Sequence, residues 1–291
     1  MSAQNQDTSS PSKKILESSP LSGIAVPIAI VLVGGMIIFG VTKMLSSGKD
    51  HRDLIEEMNS KTFGNRWVAA YELSKFLAAS KIPKEDMPWV IENLSRVYVE
   101  SVDSRTRNFV VLALGSLKNP LALGLLNKAL DDQDPQVKFN AVVSLGNMPA
   151  AQEIQWDKIE AMLQQDQDSG LKQVALFALA SHKHPKAENF ALGFLNSQDK
   201  TLRYAASNIL IYYKNPMAIP VIQEIAALRY DDRSPESLNG SQVEGLKMNL
   251  LENIEKSKWT EMLGLLEKLQ NDDPNIRIQT KAKQVLKVLK N

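Results

Sequence analysis

The sequence predicts an all-α protein: a solenoid of about seven helix hairpins preceded by one N-terminal membrane-spanning helix. Three observations carry that expectation. An uncharged apolar run lies near the start, a nine-residue amphipathic pattern recurs to the end of the chain, and the period-two alternation of strands is missing.

Taken in order, residues 1–20 (MSAQNQDTSSPSKKILESSP) are polar and Ser-rich, with too few apolar groups to offset the entropy of ordering them, so a disordered tail is expected. Residues 21–45 are read as a transmembrane helix, with residues 22–42 meeting the membrane. No charged side chain occurs between Glu17 and Lys43. The apolar part, Ile24 to Val41, would measure about 27 Å as a helix, close to the ~30 Å of a bilayer core. Pro27 and the Gly34-Gly35 pair are better tolerated in a membrane helix than in a buried soluble one. A cleaved secretory signal fits less well, because the nearest small-residue cleavage candidate, Ser46-Ser47-Gly48, lies beyond Lys43. Lys13 and Lys14 precede the run, and Lys43, Lys49 and Arg52 follow it. Counting basic residues, this leans toward a single-pass protein with its C-terminal domain in the cytoplasm. Residues 46–62 form a juxtamembrane linker or helix, and residues 63–291 form the repeat domain.

Within that domain an apolar or small polar residue is followed by a basic one, a small residue three positions later, and Leu or Ile four further on. Copies run from Asn65 to Leu73, Thr106 to Leu114, Val137 to Leu145, Leu171 to Leu179, Leu202 to Leu210 and Leu246 to Ile254, with a divergent last copy from Ile276 to Gln284. Positions i, i+4 and i+8 share one helical stripe, so each copy reads as an amphipathic helix. Its middle contact is usually small, as at Ala69, Ala141, Ala175 and Ala206, with Val110 in the remaining early copy. Second helices lie between copies, beginning near Pro120, Trp156, Pro185 and Pro216. The copies start 41, 31, 34, 31, 44 and 30 residues apart, a period at which single hairpins bury little and stability comes from stacking on neighbours.

The basic position forms a column: Arg66, Arg107, Lys138, Lys172, Arg203, Lys247 and Arg277. Asp103, Asp134, Asp168, Asp199 and Asp273 stand four residues before five of these. Asp is a good N-cap, and Pro135 and Pro274 occupy the next position, where a missing amide hydrogen costs nothing. The same Asp residues are alternatively partners for the basic column. Both readings are structural, and a column that binds phosphate or an acidic ligand is the lesser expectation.

The clearest copy, D-P-x-V-K-x-x-A-x-x-x-L-G from Asp134 to Gly146, resembles HEAT repeats, and the short period looks most like the bacterial type associated with phycobilisome lyases. The resemblance covers about residues 63–290. It implies a right-handed superhelix whose second helices, around Lys128, Lys158 and Glu224, line a concave face used for protein partners. The lyase members act on bilin chromophores, but no residue constellation in this chain carries that activity over.

Several function classes find no support in the residues. The chain has no Cys and three His, so it lacks a thiol nucleophile, a Cys-based zinc site and disulfides. His182 and His184 flank Lys183 as an exposed polar turn rather than as metal ligands, and His51 reads as a solvated flanking residue. No phosphate-binding glycine loop, G-x-S-x-G or H-E-x-x-H occurs. Taking the four basic and three acidic residues of the first 50 from the chain's 34 and 33 leaves 30 of each, so no basic excess grips nucleic acid. No catalytic residue, cofactor or metal is expected. Trp67, Trp156 and Trp259 are expected to pack, as are Trp89, Val90, Leu94, Val97 and Tyr98 of the longer helix after Lys84.

One irregularity bears on function. The 44-residue interval contains a polar connection, from Arg229 to Gly245, and insertions in solenoids often contact partners. Arg229, Tyr230, Asp231, Asp232 and Arg233 are the candidate partner-binding loop. The sequence is therefore read as a membrane-anchored scaffold for protein–protein interaction, the alternative being a chromophore-lyase-like or other modification factor that uses the concave face.

Overall fold

A computed structural model describes residues 49–291 apart from 61, 80–81, 150–152, 166–167 and 232–237. The chain divides into two compact units at Leu54/Ile55, and the stack described below belongs to the second, Ile55–Asn291.

The described residues hold fourteen α-helices and no strand. Helix α1 (His51–Met58) starts at Asp50, whose Oδ1 accepts the amides of Arg52 at 2.8 Å and Asp53 at 2.9 Å. Seven helices then carry the recurring pattern: α2 (Phe63–Ala78), α4 (Ser104–Leu117), α6 (Pro135–Gly146), α8 (Ser169–Ser181), α10 (Lys200–Tyr212), α12 (Gly240–Ser257) and α14 (Ile276–Lys290). Six alternate with them: α3 (Met87–Glu100), α5 (Leu123–Ala129), α7 (Trp156–Gln165), α9 (Ala187–Phe194), α11 (Ile219–Ala226) and α13 (Leu263–Asp272).

The pattern predicts the core. Its middle contact is fully buried in six pattern helices, at Ala69, Val110, Ala141, Ala175, Ala206 and Leu250, as are Leu114, Leu145, Leu179, Leu210 and Ile254 above it, whereas Thr280, the middle position of the last copy, is exposed. Small middle residues let the helix axes approach, and Gly115 and Gly146 press the same contact further. A Cβ at Gly115 would fall 2.5 Å from the Ser144 Cβ, and one at Gly146 would fall 3.1 Å from the Ala178 Cα.

Each pattern helix packs on the next, from α2 through α14, and each interleaved helix packs on the pattern helix that follows it. The close spacing thus lies on the pattern-helix side.

Caps fix where the helices begin. Asp103 accepts from the Thr106 amide, Asp134 from Gln136 and Val137, Asp168 from Leu171, and Asp199 from Thr201 and Leu202. The last expected cap is different. Asn275, not Asp273, caps α14 by accepting the Arg277 amide at 2.9 Å. The pattern there is displaced by two residues: Ile278, Ala282 and Leu286 form the buried stripe, Arg277 is exposed, and Gln279 takes the basic position.

The membrane expectation is also corrected. Among the described residues no helix is long and apolar enough to cross a membrane, and the run at 22–42 lies outside the described residues. The single-pass localisation is withdrawn, and with it the lean toward a cytoplasmic domain.

Candidate functional site

The basic column is mostly tied into the stack. Arg107 makes two charge-assisted bonds to Asp132, from Nε to Oδ2 and from Nη2 to Oδ1, both 2.8 Å, while its Nη1 donates to the carbonyls of Ser101 and Val102. Arg203 repeats this arrangement, gripping Glu224 at 2.7 and 3.2 Å and donating to the Ser197 carbonyl. Lys247 meets Asp273 at 2.7 Å with both side chains almost fully buried. Arg66 pairs with Asp103 at 3.3 Å, and Arg277 pairs with Glu244. Lys172 lies 6.0 Å from the Phe194 ring, and Lys138 makes no ion pair among the described residues. Gln279, at the shifted position of α14, donates to the Asp273 carbonyl at 2.7 Å. That carbonyl is six residues upstream, the same offset as in Arg107–Ser101 and Arg203–Ser197.

Sequence reading missed the third member of these knots. Tyr98 donates to Asp132 at 2.5 Å, Tyr204 to Glu224 at 2.7 Å, and Tyr230 to Asp273 at 2.8 Å. Each carboxylate thus takes a phenol and a cation together. Burial raises the Asp132 carboxyl, but the hydrogen bonds from Arg107 and Tyr98 outweigh it and hold it down at about 2. Burial, with the bond to Glu224, pushes the Tyr204 phenol up to about 12. A signal was available in part: Asp132 and Asp273 each stand two residues before the capping residue, Asp134 or Asn275.

The last knot forms the floor of a cleft of about 1410 Å³ between the last two hairpins. One wall is the end of α11 with the connection that follows (Gln223, Ala226, Ala227, Leu228). The other is α13 and the start of α14, including Leu265, Lys268, Pro274 and Ile276. Lys247 and Asp273 line the base, and Tyr230 crosses above them, its ring centroid 4.6 Å from Lys247 Nζ. Gly264 also lines the cleft, and a Cβ there would meet nothing within 4 Å.

The candidate loop separates into parts. Tyr230 is half-buried in the knot, where burial and its bond to Asp273 raise its phenol, so it holds the cleft in shape rather than standing free. Arg229 and Asp231 are exposed, face each other at 3.2 Å on the rim, and their hydrogen bond lowers the Asp231 carboxyl. Asp232 and Arg233 lie outside the described residues. After them, Asn239 and Gln242 close a reciprocal capping box at the start of α12.

The inner-face residues named from the sequence are partly engaged elsewhere. Lys158 pairs with Asp131, and Glu224 belongs to the Arg203 knot; Lys128 is exposed. His182 and His184 pack against Trp156 with ring centroids 4.9 and 5.4 Å away, and His182 Nε2 lies 3.0 Å from the Leu145 carbonyl. Trp259 is core, and Trp67 carries no described side chain.

No family model and no curated protein matches the sequence. Solved structures do resemble the fold. The complex of CpcE and CpcF of phycocyanin lyase from Nostoc sp. PCC7120 matches with a TM-score of 0.54 at 16% identity, over 82% of this chain and 87% of that one. The E. coli protein YibA matches with a TM-score of 0.54 at 14% identity, over 98% of this chain and 99% of that one. At such identities the likeness concerns the fold, that of HEAT- or armadillo-like helical repeats.

Proposed function

We propose that this protein is a helical-repeat scaffold that binds another protein, with the cleft beside Arg229–Asp231 as the seat. The observation that carries this reading is the cleft itself. Its volume exceeds the roughly 300–1,000 Å³ of small-molecule sites, and its walls present apolar side chains (Ala226, Leu228, Leu265, Pro274, Ile276) beside Gln223 and Lys268. Its charged base is internally neutralised, because Lys247 and Asp273 are spent on each other. Such a site offers a peptide segment apolar contact and a polar rim. The modification-factor alternative rests on fold likeness alone, and no residue of the cleft favours it.

Two variants test the reading. Gly264→Trp places a bulky side chain where a Cβ meets nothing, and Arg229→Ala with Asp231→Ala removes the rim pair. Both are expected to keep the wild-type melting temperature and lose the same co-purifying protein from native extracts. Retention of every wild-type partner by Gly264→Trp would eliminate the cleft as the seat.

A further inference from the structure

Four non-glycine residues among those described have a positive φ, and all four are lysines: Lys118 (49°), Lys183 (52°), Lys214 (53°) and Lys258 (53°). Each stands four residues after the last stripe residue of its pattern helix, Leu114, Leu179, Leu210 or Ile254. They are one structural position in four repeats. Gly or Asn holds the left-handed conformation at a helix end with less steric cost. A cation near the C-terminus does complement the helix dipole, but a Lys inside the last turn supplies that at ordinary φ. A turn shaped by stability alone would not place Lys there four times.

All four side chains are exposed, and none makes an ion pair or side-chain hydrogen bond among the described residues. Helices α8, α10 and α12 pack on one another in succession, so Lys183, Lys214 and Lys258 follow at about the 10 Å spacing of packed helices. Lys118 extends the row beyond α6, where Pro149 takes the position. The neighbouring carboxylates are largely occupied: Glu188 by Asn215, Glu160 by Lys186 and Glu255 by Lys281, while Glu261 lies exposed three residues after Lys258. The opposite ends of these helices carry the capping aspartates Asp103, Asp168 and Asp199. Those ends are mixed in charge, because the basic column lies within one turn of the caps and Arg66 pairs with Asp103.

We propose that the lysine edge docks an extended acidic segment of a partner protein, separately from the cleft. An extended chain in the polyproline II conformation advances about 3.1 Å per residue with three residues per turn, so a carboxylate at every third position returns to one face about every 9 Å, close to the spacing of the row. A long nucleic-acid polyanion fits less well, since the domain has no net positive charge to attract it.

The test uses the full chain and a labelled peptide with Glu at every third position, measured at low salt beside a shuffled peptide and a single-stranded oligonucleotide. The quadruple variant Lys118→Asn, Lys183→Asn, Lys214→Asn and Lys258→Asn removes the charges with a residue that tolerates left-handed backbone. Expected are preference for the regular peptide, binding weaker by about tenfold or more in the variant, and a melting temperature equal to wild type or higher. Three results would overturn the proposal: no peptide binding by wild type, equal binding by the variant, or tighter binding of the oligonucleotide. A fall in melting temperature with binding retained would instead show the lysines to be caps.

Discussion

At Asp132 one carboxylate collects two bonds from Arg107, one from Tyr98 and the amide of Asp134, fastening α3, α4 and the entry to α6 at a point. Its carboxyl is held at about 2, below the ordinary 3.8. A depressed carboxylate stabilises the fold fully above its unfolded pKa, and that contribution is lost as pH falls from about 4 toward 2; here it amounts to about 2 kcal/mol. Denaturant titrations at pH 7 and pH 3 are expected to show about half of this loss in wild type and a shallower one in Asp132→Asn. That variant is already weaker at pH 7 by about 3 kcal/mol, because Arg107 is left buried without its counter-charge. Parallel pH dependence in the two proteins would remove Asp132 as the acid-sensitive group. The buried Lys247–Asp273 pair makes a related prediction without titration. Lys247→Met alone should cost about 3–5 kcal/mol, and Lys247→Met with Asp273→Leu much less. Equal losses in urea denaturation would show that packing, not charge, dominates this knot.

Among the helices, glycine positions distinguish close contact from open space. Gly115→Ala drives a methyl into Ser144, and Ala141→Leu or Ala175→Leu overfills a middle contact that is fully buried. Each is expected to destabilise the stack by about 1–3 kcal/mol. Gly264→Ala meets nothing and should be neutral or stabilise by about 0.5–1 kcal/mol through helix propensity. Thermal melts that rank these variants otherwise would mean that the helices pack in another register. Much of this was legible in the sequence, because a small residue at i+4 of a nine-residue stripe states how near two helices come. The last helix was misregistered for a physical reason: Asp273-Pro274 has the look of a cap and its N1 proline, while Asp273 is committed to Lys247 and Asn275 does the capping. The tyrosines were illegible, since Tyr98, Tyr204 and Tyr230 sit at three different places relative to the pattern and meet their carboxylates only through tertiary packing. The loop was found by its length, but nothing in its composition distinguished Tyr230, which supports the cleft, from Arg229 and Asp231, which rim it.

Across the molecule, the same knots that join neighbouring hairpins also leave a gap where the connection after α11 is long. The walls of that gap set apolar side chains beside Gln223 and Lys268, its base holds the Lys247–Asp273 pair, and one edge of the stack carries the row of exposed lysines. A scaffold needs this division, with interactions that hold the stack kept internal and surfaces of distinct chemistry left for partners. The central claim is that the cleft seats a protein segment, and a photo-crosslinking side chain installed at Ile276 tests it most directly. Ile276 is 69% exposed and lines the cleft, and Val102, 93% exposed and not part of it, provides the control position. Illumination in intact cells is expected to give a discrete protein adduct from position 276, none of that mass from position 102, and no adduct from position 276 when Gly264→Trp fills the cleft. An adduct from position 276 that persists in the Gly264→Trp background, or no adduct at all, would contradict the account.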